Sequence, residues 1–121
     1  MSSDSRAVVK VHEEAHVFVV TILGEVDADE RDLLQAAWDE ADEVRLLATA
    51  VDLSAVTFAD STILGALLEA QDRHHRDGRA FVLTGPLADE VRLIFDVTGT
   101  LTHFTIATSV QQVIDQTTPG T

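Results

Sequence analysis

The sequence predicts an α/β domain with a mixed sheet of four to five strands and about four helices. Three observations carry this. The chain opens on two runs of β-branched residues, then alternates apolar runs of strand length with segments of helical periodicity. One of those runs, Leu46 to Leu53, is apolar at nearly every position, as a central strand buried on both faces must be. Its 121 residues, 45% of them hydrophobic, also suffice for one core and one domain.

The first pair of strands is read at Val8 to Val11 and Val17 to Leu23, around an acidic turn that contains His12, Glu13 and Glu14. Gly24, Glu25, Val26 and Asp27 follow as a loop. From Asp29 onward Leu33, Leu34, Ala37, Trp38 and Ala41 recur at helical spacing, which gives an amphipathic helix with an acidic outer face. Leu46 to Leu53 is the central strand, leaving through a polar loop, and Ser61 to Arg76 is the second helix. Ala80 to Leu83 then forms a strand, Ala88 to Val97 a helix closed by Gly99, Phe104 to Ile106 a short strand and Ser109 to Gln116 a last helix. Strands separated by helices run parallel through right-handed crossovers, while the opening hairpin makes the sheet mixed. The domain is expected over residues 8–116, with residues 1–7 and 117–121 as flexible termini.

Composition narrows the function. Eight Lys and Arg stand against 21 Asp and Glu, a formal net charge of -13, which opposes nonspecific binding to nucleic acid or to an anionic membrane. The expected partner is another protein. With no cysteine there is neither a disulfide nor a thiolate metal site, and no metal or other cofactor is expected. Met1 to Arg6 lacks the apolar segment of a signal peptide and no later run approaches membrane-spanning length, so a cytoplasmic location is the default expectation.

The densest chemical signal runs from Asp52 to Leu68, where a buried strand gives way to a helix that opens on Asp60, Ser61 and Thr62. Taken alone, that cluster reads as a plain helix cap, since side-chain oxygens of these types accept hydrogen bonds from the unpaired amides of a first turn. The helix that follows carries an apolar arc of about 200° through Ile63, Leu64, Ala66, Leu67, Leu68 and Ala70, wider than one buried stripe needs. Either part of that arc is a docking surface beside an exposed hydroxyl, or the helix lies between the sheet and a neighbouring helix.

The string from Asp52 to Leu68 resembles the signature of STAS domains, in particular the stand-alone anti-sigma factor antagonists of bacteria. Gly24-Glu25-Val26-Asp27 is similar to that family's Gly-Glu-Leu-Asp loop, and Leu93 to Gly99 is similar to the end of its third helix. The order of elements agrees over roughly residues 8 to 115. The resemblance implies a single STAS-type domain that is not an enzyme. It implies phosphorylation at Ser61, with Thr62 as a secondary acceptor, by an anti-sigma factor with serine kinase activity that binds the unphosphorylated form, so that the sigma factor is released. It also implies a partner surface of Asp27, Asp60, Ser61, Thr62, Ile63, Leu64 and Gly65, and it leaves room for a weak homodimer. One position departs from the pattern: the family usually carries glycine where this chain has Ile63, which adds apolar bulk to the expected docking surface.

Phosphate on Ser61 would add about −1.5 to −2 charges at a helix N-terminus, where the fold tolerates an anion. Asp60 beside it, and Asp27 if the loops converge, would turn the patch strongly acidic. Other readings compete with this one. The chain could instead be a structural or regulatory STAS subunit of a stress-sensing complex or lipid transporter. Asp27 and Asp60 as an acid/base pair lack a nucleophile partner, and no phosphate-cradling glycine loop accompanies them. His74 and His75 point about 100° apart on a helix and are expected to face solvent near its end. Trp38 is expected in the core.

Overall fold

The computed structural model describes residues 7–117. Five strands lie in the order in which they occur in the chain: β1 (Val8–Glu14), β2 (Val17–Val26), β3 (Ala48–Ala59), β4 (Ala80–Thr84) and β5 (Thr105–Ala107). β1 pairs antiparallel with β2, and all later neighbours are parallel. Four helices complete the domain: α1 (Arg31–Val44), α2 (Thr62–Arg76), α3 (Asp89–Thr98) and α4 (Val110–Gln116). The mixed five-stranded sheet with four helices agrees with the predicted class.

Strand alternation divides the apolar residues between two layers. Phe18, Val20 and Ile22 of β2, with Val51 and Leu53 of β3, join Trp38, Leu67 and Phe95 in one core beneath α1, α2 and α3. Val17, Val19, Ala48, Ala50 and Val82 face the other way and pack under Val113 of α4. Because β2 and β3 are covered on both faces, their sequences read as unbroken apolar runs.

Several boundaries differ from the sequence reading. His12, Glu13 and Glu14 belong to β1, and the turn is the pair Ala15 and His16, with Ala15 at φ 55°. The segment Gly24 to Val26 is strand and not loop. Its pairing with β3 shifts register near Gly24, which sits at φ 93°, a conformation glycine adopts without steric cost. β3 likewise runs on to Ala59, well past Leu53. Its polar stretch of Ser54, Ala55 and Thr57 looks like a loop in sequence but keeps pairing with β2, through Leu23↔Ala55 to Val26↔Ala59. Gly99 closes α3 at φ 69°, as expected.

At the margins, Ala7 is 7% exposed and joins the main core, and Thr117 donates through its N–H to the Val113 carbonyl at 3.0 Å. Both residues had been assigned to flexible termini. Residues 1–6 and 118–121, the rest of those termini, lie outside the described residues. Among the described residues no helix is long and apolar enough to cross a membrane.

Candidate functional site

The site is built where β2 and β3 end side by side. Asp60 N–H donates to the Val26 carbonyl at 3.0 Å, so Asp27 and Asp60 leave the sheet from adjacent strands. Each carboxylate then serves the backbone that follows. Asp27 accepts the Asp29 amide at 2.9 Å while Glu30 accepts the Asp27 amide at 2.9 Å, a reciprocal capping box that turns the chain into α1. Asp60 accepts the Thr62 amide at 2.8 Å and caps α2. Both acids therefore have a structural task, and neither is placed to act as an acid or base on the other.

Ser61 stands between them and α2. It is exposed, and its side chain makes no capping hydrogen bond. The Ile63 and Leu64 amides are already engaged with the Asp60 and Ser61 carbonyls at 3.2 and 3.1 Å. The next amides are thus already engaged, and the exposed Ser61 side chain stands in solvent next in sequence to Asp60. Thr62, the neighbouring hydroxyl, is half-buried.

The apolar arc of α2 resolves in favour of a helix held between the sheet and its neighbour. Ile63 is 0% exposed and Leu64 5%, so both side chains pack in the core and not on the exposed side of the helix. Their burial follows from α1 alongside α2. Arg73 of α2 reaches Asp39 and Asp42 of α1 at 3.0 and 3.1 Å, and Gln35 of α1 donates to Glu69 at 2.6 Å. The Gln35 amide, aided by Arg73, keeps the Glu69 carboxyl below its usual range. Burial works against ionised Asp42, but hydrogen bonds and charge from Arg79 and Arg73 outweigh it and lower its pKa.

What α2 presents outward is a narrower stripe. Ser61, Gly65 and Leu68 fall within about 60° of one another on the helix, and all three are exposed, Leu68 by 37%. A Cβ built on Gly65 meets nothing within 4 Å, so no packing inside the domain requires glycine there. Phe58, three residues before Ser61 near the end of β3, is 46% exposed. Phe58 was missed in the sequence because its segment reads as a polar loop, and Leu68 was not separated from the buried arc. A large apolar residue on the solvent side of a strand next to an uncapped serine was the available signal.

His74 also departs from expectation. It is fully buried, with Nδ1 2.7 Å from the Ala70 carbonyl and Nε2 2.6 Å from Thr49 Oγ1. The carbonyl can only accept, so Nδ1 carries the proton and Thr49 donates to Nε2. Burial lowers the His74 pKa from its ordinary 6.5. His75 is exposed, as expected, and Trp38 is fully buried, with its ring edge-on to Phe81 at 5.9 Å. Among the described residues no group of three or more His, Asp or Glu is placed to hold a metal ion.

Known proteins bear on this arrangement at two levels. No curated protein sequence matches the chain. Solved structures do. An anti-sigma factor antagonist from Mycobacterium paratuberculosis superposes with a TM-score of 0.83 at 21% identity, covering 98% of this chain and 100% of that one. The anti-sigma factor antagonist SpoIIAA in its unphosphorylated form gives 0.76 at 16% identity, covering 94% and 100%. The Bacillus cell fate determinant SpoIIAA in its phosphorylated form gives 0.68 at 17% identity, covering 90% and 98%. At these identities the likeness establishes a shared fold. A family model described as "Mlab, STAS domain" matches residues 9–105, from β1 into β5. The chain therefore belongs to the STAS domain family.

Proposed function

We propose that the chain is an anti-sigma factor antagonist, a binding module of the bacterial cytoplasm. Unphosphorylated, it docks an anti-sigma factor with serine kinase activity on the face formed by Ser61, Gly65, Leu68 and Phe58, and so frees a sigma factor for transcription. Phosphorylation of Ser61 by that partner ends the interaction. The observation that carries the reading is an exposed serine hydroxyl with no capping bond at the start of a long helix, next to the Asp60 carboxylate, which is itself committed to the cap.

The switch follows from charge. A phosphoserine adds about −1.5 to −2 charges, and with the nearby first-turn amides engaged it gains little from the helix and stands in water beside Asp60. Desolvating it against a partner would cost roughly 2–4 kcal/mol, a loss of about 30- to 1000-fold in affinity. Similarity in fold to SpoIIAA, solved in phosphorylated and unphosphorylated forms, supports the same logic here. The reading is tested by intact mass and peptide mapping after incubation with ATP and the anti-sigma kinases of the same organism. One phosphate at Ser61, absent from Ser61→Ala, is expected; a Ser61→Ala chain phosphorylated as well as wild type sinks the assignment.

A second reading rests on membership of the STAS family alone. In it the domain is a structural or regulatory STAS subunit of a stress-sensing complex or lipid transporter. Its mark is stoichiometric assembly with a larger protein that is indifferent to Ser61→Asp.

A further inference from the structure

We propose that the cavity at the carboxyl ends of β4 and β5 binds a small, largely apolar molecule bearing one carboxylate-like anionic head. The cavity measures about 410 Å³, within the range of sites that enclose small ligands. Pro86 and Leu87, just beyond β4, line it together with Leu101, Ile106, Ala107 and Thr108. The Gly85 N–H donates to the Ala107 carbonyl at 3.3 Å and ties the two strand ends together beneath them. Such a mostly apolar lining, open to solvent where Pro86 and Ile106 are exposed, shelters part of an apolar body from water and offers a polar ligand little.

The one charged group in the lining is Arg92 of α3. Arg73 and Arg79 are each held by two or more carboxylates at 3.1 Å or closer. Arg92 has Asp96 at 4.0 Å, with its side chain 59% exposed. Held less tightly than those two, its guanidinium can turn toward the cavity mouth and take a carboxylate through two parallel hydrogen bonds. The net charge of -13 disfavours a multiply charged head, which leaves a monoanion as the fitting class. No residue of the Ser61 stripe lines this cavity, so the proposal stands apart from the phosphorylation switch.

Octanoate is a suitable probe, titrated into the full chain while amide resonances are followed by NMR. Saturable one-to-one binding is expected, with the largest shifts at Leu87, Arg92, Leu101 and Ile106. Octanol, which has the same chain length without the charge, should bind at least about tenfold more weakly. Arg92→Ala should lose about tenfold or more in octanoate affinity while keeping the amide spectrum of the fold, and Ile106→Trp should fill the cavity and abolish binding. Shifts that fail to saturate, or that cluster away from these residues, overturn the site. Equal affinity of Arg92→Ala or of octanol overturns the anionic head, and full binding by a folded Ile106→Trp chain overturns the cavity.

Discussion

The Asp60 carboxylate accepts the Thr62 amide at 2.8 Å, so the residue before Ser61, and not Ser61, caps α2. The hydroxyl is thereby relieved of structural work at the place where the sequence most suggests it. Removing it should cost the fold almost nothing. We expect Ser61→Ala to stay within about 0.5 kcal/mol of wild type in urea denaturation, and Asp60→Ala to lose about 1 kcal/mol. The reverse order would mean that Ser61 is the cap.

Ile63, where the resemblance noted in the sequence leads one to expect glycine, is fully buried. Its side chain packs in the main core. Ile63→Ala should lower stability by about 2–5 kcal/mol while leaving Ser61 a substrate for the same kinase below the melting temperature. Unchanged stability with lost partner binding would return Ile63 to the surface.

Gly65 occupies an exposed position inside α2 where a Cβ has open space. A glycine there costs the helix about 1 kcal/mol relative to alanine, and nothing within the domain requires it. Gly65→Ala should therefore raise stability by up to about 1 kcal/mol, and Gly65→Arg should weaken partner binding at least tenfold because the partner approaches the bare backbone. Calorimetry and a binding titration separate the two effects. Binding by Gly65→Arg at wild-type strength would move the interface elsewhere.

His74 predicts how stability depends on pH. Burial disfavours its imidazolium, so the folded chain takes up the proton at lower pH than the unfolded chain, whose pKa is the ordinary 6.5. The unfolded state then binds more protons just below that value, and stability falls as pH drops through it. Asp42, whose pKa is lowered, contributes fully above its ordinary 3.8 and is lost only under stronger acid. In urea titrations from pH 7 to 5, His74→Gln should show a shallower decline than wild type whatever its stability at pH 7. An identical slope would assign the decline to other groups.

The fold was legible where burial leaves a pattern. Ala48 to Leu53 is largely apolar on both faces because Val51 and Leu53 pack in the core on the α3 side of β3 while Ala48 and Ala50 pack under α4; Leu46 and Leu47 precede the strand, and Leu47 is exposed. Leu34, Ala37, Trp38 and Ala41 mark the buried stripe of α1, and Gly99 marks the end of α3. Where pairing alone decides, composition misleads. The end of β3 is polar enough to read as a loop, and only its ladder with β2 keeps it extended. At the site, the cluster of Asp60, Ser61 and Thr62 could be found from residue types, but the division of labour within it could not, since any of the three can cap a helix. His74 was misread because its position near the helix end gives no sign of the buried hydrogen bond it makes with Thr49, 25 residues away on β3.

The central claim is that charge on Ser61 governs docking, and the direct measurement is the affinity of one anti-sigma factor for the chain before and after phosphorylation at Ser61. Isothermal titration with the unmodified and stoichiometrically phosphorylated proteins, under identical salt, reads it without reference to kinase rates. The account predicts tight binding before modification and a loss of about 30- to 1000-fold after it. Equal affinity of the two forms would contradict the switch and leave a STAS subunit whose assembly is indifferent to Ser61.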